Sequence, residues 1–448
     1  MLLVSSGSAF VARAAEEPPG LLAGVAKTDI TYAAGQSFRN NVLAAEDIAD
    51  RLFARVLVLR DGNTSLAIVS TDAIFFSSEK VVEAARQKWD LDHVILCGTH
   101  THSGGYPAGG STDTCPEGTK SGGWTRMGDP ADLLNWDFPE DAWHQEMQEK
   151  VVAAIGEAAA SLFPARIAVG NGPLKSAYFA HNRRLVGKDG RVRMLWDNPQ
   201  RIPTHPVDPT VGVIRIDDEV GKTRVLMVHY ACHPVTLMGS GLVSADYPGA
   251  MCDYVEEEMG EDCMAMFLQG AEGDIDPALM RLPPTEHRLN VIRQMGRDLG
   301  GQAVRIARGL LPRRHAAGAL KIEESLLTFG HRKVGAYTPP PGKKTRVGLA
   351  TVVYGNQFAL LAIPGEPFVQ HQLDLTKRSP LPNSFVLGLA YSGRGTPFAI
   401  YIPTEEAIGQ GGYGADECTF LAAGAGERMV AEGLACIERM LPAASAAE

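Results

Sequence analysis

The turn at residues 97–105 places two histidines two positions apart, directly after an apolar run. Residues 94–96 are Val, Ile and Leu and predict a buried strand, and His100 and His102 follow in a Gly/Thr-rich turn. Alternate side chains of an extended chain share a face. Both imidazoles can therefore point into one cavity at the carboxyl end of a strand, where open α/β sheets bind ligands. The spacing suits a metal ion, and histidines that serve only in the core or on the surface are the alternative.

Three further predicted strands end in groups of the same kind. His233 follows one apolar strand, the turn Gln269–Pro277 follows the next and carries several carboxylates, and Glu366 lies between two prolines after a third. A single acidic turn usually faces water or caps a helix. Four strand ends with His or acidic residues together indicate one shared site.

Imidazole nitrogen and carboxylate oxygen are ligands of catalytic zinc, which generally keeps one position open for water. Zinc lowers the pKa of a bound water to about 7 and polarises a carbonyl group, so hydrolysis of an acyl bond is the natural chemistry. A nearby carboxylate such as Asp274 could orient a ligand imidazole or accept the proton of the water.

The elements that must position these side chains alternate between strands and amphipathic helices, which predicts an α/β fold. Short turns such as Arg60–Asn63 connect several strands, so the sheets are expected to be mixed. The predicted strands are Ala54–Leu59, Ser65–Val69, His93–Cys97, Ala165–Val169, Thr210–Ile216, Arg224–Tyr230, Met264–Leu268, Thr351–Val353, Phe358–Ile363 and Ser384–Leu389. The predicted helices are Glu79–Trp89, Glu140–Leu162, Tyr247–Met259, Glu286–Leu311 and Glu427–Leu441.

A long Gly- and Pro-rich segment, Gly104–Pro139, follows the histidine turn and contains Trp124 and Trp136. Long irregular segments in compact domains are usually functional. This segment is therefore predicted to be a lid or a wall of the substrate pocket, with a surface insertion as the alternative.

Composition excludes several classes of protein. The 448 residues are 45% hydrophobic and 21% charged, which is ordinary for a globular chain, and the formal net charge is −10. No basic run is interleaved with aromatic residues, so a nucleic-acid partner is not expected. The apolar stretches are shorter than the roughly 20 residues that a transmembrane helix needs. The seven cysteines include no Cys-x-x-Cys pair, which argues against a zinc knuckle and a dense disulfide framework and leaves a single disulfide open.

Residues 1–20 read as the remnant of a secretory signal that lacks its positively charged start, or as a disordered N-terminus. The first interpretation predicts a secreted or periplasmic protein, and the second leaves a cytoplasmic one open. Residues 21–448 are predicted to form one large domain. The sequence indicates no oligomeric state.

Six motifs in order resemble the neutral ceramidase family, the neutral/alkaline non-lysosomal ceramidases. The strand-like segment Ala23–Thr31 also resembles the first strand of that family. The motifs are Gly98–Gly104, His181–Arg183, Cys232–Pro234, Gly273–Pro277, Pro364–Glu366 and Tyr401–Glu406 with Tyr413. The resemblance covers nearly the whole chain and implies two packed mixed β-sheets flanked by helices in αββα layers.

The resemblance also implies site residues. His100, His233, Glu366 and Tyr401 fall where the family binds catalytic zinc. Another four residues match positions that assist the zinc-bound water or stabilise an oxyanion, namely His102, Asp274, Arg183 and Tyr413. For Tyr401 and Tyr413, packing against strands and turns is the alternative.

Three departures from the family pattern qualify these expectations. Asp276 stands where the family has an active-site serine, which excludes a mechanism that needs this hydroxyl and adds a second carboxylate to the predicted catalytic residues. Gly105 replaces the usual proline after the histidine turn. The chain ends soon after the Tyr413 motif, so the resemblance implies the catalytic domain without the family's immunoglobulin-like C-terminal domain.

The sequence thus predicts a zinc-dependent hydrolase that cleaves a carboxylic amide or related acyl bond of a small molecule by metal-activated water. An esterase or lactonase that acts on a smaller polar substrate with the same zinc site is one alternative. A metal-binding homologue that has lost turnover with the serine is another.

Overall fold

Three mixed β-sheets share one apolar core, and helices cover the outer face of each sheet. The computed structural model describes residues 20–38, 41–104, 142–280, 285–315, 318–335, 337–394, 396 and 398–441. The predicted signal and the segment after Gly104, with Trp124, Trp136 and Cys115, lie outside the described residues.

The first sheet has six strands and one parallel pair, which joins Thr64–Thr71 to His93–Gly98. In spatial order the strands are Ala390–Tyr391, His93–Gly98, Thr64–Thr71, Phe53–Asp61, Leu22–Asp29 and Phe163–Pro164. The two long strands at its centre are almost wholly buried, which is typical of strands covered on both faces.

The second and third sheets have four strands each, again with one parallel pair per sheet. The second sheet has the order Met264–Gln269, Thr223–Tyr230, Thr210–Asp217 and Arg166–Pro173. The third has the order Leu320–Gly330, Lys344–Tyr354, Phe358–Ala362 and Ser384–Leu387. The parallel pairs of the three sheets include the strands that precede His100, His233 and Glu366.

Four two-stranded pairs, seven α-helices and one 3-10 helix make up the other regular elements of the described residues. The pairs join Ser37–Phe38 to Asn41–Val42, His181–Asn182 to Ile275–Asp276, Arg184–Val186 to Val192–Met194, and Glu366–Pro367 to Tyr401–Ile402. The α-helices are Glu79–Trp89, Ala142–Ala160, Asp246–Met259, Thr285–Arg308, Val369–Arg378, Glu405–Gln410 and Ala425–Met440, and Ala45–Asp47 is a 3-10 helix. None of the described helices is long and apolar enough to cross a bilayer.

The inner faces of the three sheets meet in a common core. Leu57 and Ile68 of the first sheet pack with Met227 of the second and with Val352 and Leu360 of the third. On the outer faces, helices Glu79–Trp89 and Ala142–Ala160 cover the first sheet, Asp246–Met259 and Thr285–Arg308 the second, and Val369–Arg378 and Ala425–Met440 the third. Each sheet thus buries one face against the other sheets and one face under helices.

The predicted α/β fold with mixed sheets flanked by helices is confirmed, and the strands divide among three larger sheets where the resemblance implied two. Apolar patterns mark strands but do not reveal which strands pair. The strand Leu320–Gly330 escaped sequence analysis because its polar side chains leave it half-buried. The six described cysteines are buried and form no disulfide with one another, and Cys97 and Cys232 are small core side chains.

Candidate metal centre

The histidine turn at the end of His93–Gly98 is held tightly against the neighbouring strand end. His100 has a backbone φ of +71°, in the left-handed region that non-glycine residues rarely adopt. Its N–H donates to the carbonyl of Ala73 at 2.9 Å. A Cβ at Gly98 would lie 2.6 Å from Cα of Phe75, so only glycine permits this close approach. Such strain is typical of functional positions that the surrounding structure fixes.

The imidazoles of His100 and His233 are oriented by backbone carbonyl groups. Nδ1 of His100 lies 2.6 Å from the carbonyl oxygen of Ile74, and Nδ1 of His233 lies 3.1 Å from that of Ile275. A carbonyl oxygen only accepts, so both Nδ1 atoms carry the proton and donate it. Both Nε2 atoms therefore present a lone pair, which is how protein structures usually prepare histidine as a metal ligand.

Glu366 and Tyr401 are neighbours in the short parallel pair formed by Glu366–Pro367 and Tyr401–Ile402. Oε2 of Glu366 lies 3.2 Å from Nε2 of His233 and 3.4 Å from Nε2 of His100. Oη of Tyr401 lies 3.4 Å from Nε2 of His233. The four predicted ligand side chains therefore converge on one buried point.

The electrostatics of this point favour an anionic carboxylate beside neutral imidazole. Burial alone would raise the pKa of Glu366, but His100 and His233 lower it well below its usual range. Burial, together with the charge of Arg183, lowers the pKa of His233. Burial and the charge of Glu366 raise the pKa of Tyr401 well above its usual value, so the phenol keeps its proton unless a cation is bound beside it.

His102 lies on the rim of the same cluster and is less buried than His100. Its Nε2 is 3.4 Å from Nε2 of His100, and its ring centroid is 6.0 Å from that of His233. One ring nitrogen from each of the three histidines lies within 4.8 Å of the others, close enough to surround a metal ion. The turn brings His100 and His102 together as predicted, although the left-handed φ of His100 shows that the backbone here is not extended and that side-chain alternation is not the cause.

Arg183 lies behind Tyr401 and is almost wholly buried. Pairing of His181–Asn182 with Ile275–Asp276 brings it to the acidic turn, where Nη1 lies 3.1 Å from Oδ1 of Asp276 and Nη2 donates to the carbonyl of Gly273 at 2.6 Å. Its guanidinium lies 5.3 Å from the ring of Tyr401, a cation–π distance. Burial disfavours the cation, but Asp276 holds the pKa of Arg183 above its ordinary value.

Tyr413 joins the same group of side chains. Its ring centroid is 5.3 Å from that of Tyr401, and the guanidinium of Arg183 lies 5.0 Å from its ring. The ring of Trp196, which sequence analysis did not single out, lies 5.4 Å from the same guanidinium. Trp196 follows a short strand of mixed composition and carries no motif that could have marked it.

Asp274 is brought to the same turn but has different partners. Its Oδ1 accepts the backbone N–H of Val369 at 2.8 Å, and its Oδ2 accepts the side-chain amide of Asn182 at 2.7 Å. A Cβ at Gly273 would lie 2.4 Å from the carbonyl oxygen of Glu366, so this turn lies directly against the Glu366 backbone. The contacts of Asp274 join the turn to the first residue of the helix Val369–Arg378.

Glu272 is the acidic residue of the turn that sequence analysis did not assign to the site. Its side chain is fully buried, and a carboxylate oxygen lies with a ring nitrogen of His100 and an oxygen of Glu366 in a group whose atoms are all within 4.8 Å. Burial and the charge of Glu366 raise the pKa of Glu272 well above its usual value. The position of Glu272 directly after an apolar strand could have marked it as a site residue. Asp274 and Asp276 follow the same strand, so this pattern does not distinguish the three.

Comparison with known proteins places this architecture in a family. The sequence model of the neutral/alkaline non-lysosomal ceramidase N-terminal domain matches residues 21–283. The neutral ceramidase of Pseudomonas aeruginosa is 24% identical over 304 residues, which span 63% of this chain and 41% of that protein.

Solved structures show the same fold. The crystal structure of the neutral ceramidase from Pseudomonas aeruginosa matches with a TM-score of 0.68 at 19% identity, over 96% of this chain and 76% of that one. A ceramidase complexed with C2 also matches with a TM-score of 0.68, at 18% identity, over 96% of this chain and 77% of that one. At these identities the structures establish likeness of fold alone. Since the family's sequence model matches more than half of the chain, the chain belongs to the neutral/alkaline non-lysosomal ceramidase family.

Proposed function

We propose that this protein is a zinc-dependent hydrolase that cleaves a carboxylic amide bond with water as the nucleophile. The observation that carries the proposal is the spacing of four donor atoms, Nε2 of His100, Nε2 of His233, Oε2 of Glu366 and Oη of Tyr401. Family membership supports the reaction class, and the relative from Pseudomonas aeruginosa is a ceramidase, which suggests a lipid amide as the substrate.

The donor atoms fit a tetrahedral zinc ion. Ligand atoms about 2.0–2.1 Å from such an ion lie about 3.3 Å from one another. The three observed separations, between Glu366 and each of His233 and His100 and between Tyr401 and His233, are 3.2, 3.4 and 3.4 Å. Three of the six separations among the four donor atoms thus agree with tetrahedral zinc.

Zinc held by these four residues would take water at a fifth position, an expansion that catalytic zinc sites allow. There it would lower the pKa of the water and polarise the scissile carbonyl group. His102 is placed beside His100, at the rim of the cluster, where an imidazole can accept a proton from a water or return it to the leaving amine.

Arg183 and Tyr413 lie where negative charge develops during attack on an acyl carbon. Asp276 and the carbonyl of Gly273 each accept one N–H of the Arg183 guanidinium, which fixes its positive charge behind Tyr401. Tyr413 has a hydroxyl group that can donate to an oxyanion. Fixed charges and donors of this kind are often the largest catalytic contribution.

The two aspartates of the acidic turn have separate roles in this proposal. Asp276 cannot supply the serine hydroxyl of the family pattern, and its Oδ1 lies 3.6 Å from Nδ1 of His233 and 3.1 Å from Arg183. It therefore holds Arg183 in place, and water remains the nucleophile. Asp274, whose oxygens are bound by Val369 and Asn182, is a positioning residue for the turn.

A panel of substrates tests the proposal. The purified chain would be assayed with N-acyl amides of increasing acyl length, with the matched esters and with lactones, before and after treatment with a chelator. We expect amide cleavage that the chelator abolishes and added zinc restores. Faster cleavage of short esters or lactones would support the esterase alternative, and no turnover of any class by the zinc-loaded protein would contradict a hydrolase.

The ligand assignment has its own test. His233→Ala should remove most of the bound zinc, measured by mass spectrometry of the metal content, because it deletes the imidazole that lies closest to both Glu366 and Tyr401. Full zinc occupancy in this variant would contradict the ligand set.

A further inference from the structure

The carboxylate of Glu272 is fully buried, so its charge needs a partner inside the protein. It follows the strand Met264–Gln269, its side chain is 0% exposed, and neither oxygen has a hydrogen-bond partner among the described residues. A buried charge without partners is one of the most unfavourable arrangements in a protein. The carboxylate is therefore stable at this place only with a proton or a cation bound to it.

Its position relative to the other carboxylate favours a cation. An oxygen of Glu272, an oxygen of Glu366 and a ring nitrogen of His100 lie within 4.8 Å of one another. Two carboxylates at such a distance repel each other when both are ionised. A divalent cation shared by Glu272 and Glu366 would remove the repulsion and give both carboxylates a partner.

The slot that holds Glu272 is closed by backbone. A Cβ at Gly388 would lie 2.9 Å from Oε2 of Glu272 and 2.6 Å from the carbonyl oxygen of Gly270, so a larger residue at position 388 would displace the carboxylate. The N–H of Gly388 donates to the carbonyl of Gln269 at 3.0 Å, which fixes this wall of the slot. Packing therefore aims the carboxylate at the centre, as a rigid ligand requires.

We propose that Glu272 is a fifth protein ligand of the metal centre and shifts its preference from zinc toward Mn²⁺. The inference rests on the metal centre of the proposed function. Tetrahedral zinc is satisfied by four donors, a number that His100, His233, Glu366 and Tyr401 already supply. A fifth donor that is a carboxylate suits a six-coordinate ion that prefers oxygen ligands, and Mn²⁺ is such an ion. One position then remains for water.

Metal competition tests the role of Glu272. The full chain, Glu272→Gln and Glu272→Leu would each be stripped of metal and dialysed against equal concentrations of ZnCl₂ and MnCl₂, and bound metal would be measured by mass spectrometry. Titration with Mn²⁺ alone, followed by its electron paramagnetic resonance signal, gives the affinity. Glu427→Gln is the matched control, because Glu427 also has a buried oxygen without a described partner but lies on the helix Ala425–Met440.

We expect both Glu272 variants to bind Mn²⁺ at least about 10-fold more weakly, a loss that even indirect supports of a ligand commonly produce. Zinc binding should fall by less, and the Glu427 variant should match the wild type. Equal Mn²⁺ affinity in wild type and Glu272→Gln would overturn the fifth ligand and leave the metal centre intact. A wild-type chain that binds neither ion would overturn the metal centre itself.

A measurement on the wild type makes the test independent of whether the variants fold. X-ray absorption of the Mn²⁺-loaded chain should show five or six nitrogen and oxygen neighbours, and a crystal of that complex should show Glu272 bound to the ion. Four neighbours, with Glu272 outside the coordination sphere, would overturn the proposal.

Discussion

Two buried Arg–Asp pairs of this molecule resemble each other closely, yet they have different neighbours. Arg55 and Asp72 are 2.8 Å apart with side-chain exposures of 1% and 1%, and Arg183 and Asp276 are 3.1 Å apart with exposures of 4% and 0%. In each pair one carboxylate oxygen and the Nε of the arginine have no hydrogen-bond partner among the described residues. By burial and bonding alone, the pairs would be judged equivalent.

Their surroundings separate them. Asp72 also accepts the backbone N–H of Phe53 at 2.8 Å, so the first pair fixes two adjacent strand ends of the first sheet. The second pair lies between the rings of Tyr401 and Tyr413 and Nδ1 of His233. A buried ion pair is therefore not by itself evidence of catalysis. The groups that the pair contacts decide its role.

The largest expected effect is common to both pairs. Arg55→Ala and Arg183→Ala each leave a buried aspartate without its cation, which typically destabilises a protein by about 3–5 kcal/mol. Urea unfolding followed by circular dichroism would measure the free energy of unfolding of each variant. A loss in one variant and none in the other would break the equivalence of the pairs in stability.

Asp246 shows what a buried aspartate does when backbone N–H groups are its partners. It accepts from Tyr247 at 2.7 Å and from Leu237 at 3.0 Å, and burial raises its pKa from 3.8 to about 6. Between these two values folded Asp246 keeps a proton that the unfolded chain has lost, so its contribution to stability should fall as pH rises from about 4 to 6 and stay constant above that range.

The contribution of Asp246 is roughly 3 kcal/mol, since one pKa unit corresponds to about 1.4 kcal/mol. The total fall of the unfolding free energy between about pH 4 and pH 6 should be smaller by this amount in Asp246→Asn, which cannot ionise, and the slope against pH should be correspondingly shallower. The slope is the quantity to compare, because the amide also weakens one hydrogen bond at every pH. An unchanged slope would show that Asp246 ionises normally in the folded chain.

Turnover should separate the two arginines. Arg183→Ala removes the positive charge behind Tyr401 and should lower the rate of amide cleavage on the order of 100-fold, which is typical for loss of one group that stabilises transition-state charge. Bound zinc should stay near the wild-type amount. Arg55→Ala, assayed under conditions where it is folded, is the control and should retain its rate. Equal rates in both variants would make Arg183 a structural residue.

The smallest effect is expected for the metal content of Asp276→Ser. Oδ1 of Asp276 lies 3.6 Å from Nδ1 of His233, which is longer than a hydrogen bond, and the carbonyl of Ile275 already orients that imidazole. Zinc measured by mass spectrometry should therefore be unchanged, while turnover or substrate choice changes because Arg183 loses its partner. Loss of zinc would show that Asp276 supports the ligand directly.

Sequence patterns were sufficient for residues whose environment is local. The apolar runs before His100, His233 and Glu366 predicted the strands, and side-chain alternation predicted that His100 and His102 share a cavity. Tyr401 was assigned only through the family resemblance, because its position depends on a two-residue pairing with Glu366 that no local pattern marks.

What the sequence could not supply depends on long-range packing. The turn Gln269–Pro277 has three acidic residues, and each has a different environment: Glu272 has no described hydrogen-bond partner, Asp274 binds the helix that begins at Val369, and Asp276 binds Arg183. These differences arise from elements about 90 residues away in either direction. The number of sheets escaped prediction for the same reason, since it depends on which distant strands pair.

The parallel pairing of Glu366 with Tyr401 limits which insertions and deletions the chain can tolerate. Side chains alternate along each strand, and the residues on either side of Tyr401 are Ile400 and Ile402. Deleting Ile400 would put Ile402 opposite Glu366 and turn the phenol of Tyr401 away from the histidines. Changes in chain length should thus be tolerated in surface turns such as Asp218–Gly221 but not in this stretch. After loss of one residue here, no single amino-acid replacement could restore the alignment of Tyr401 with Glu366.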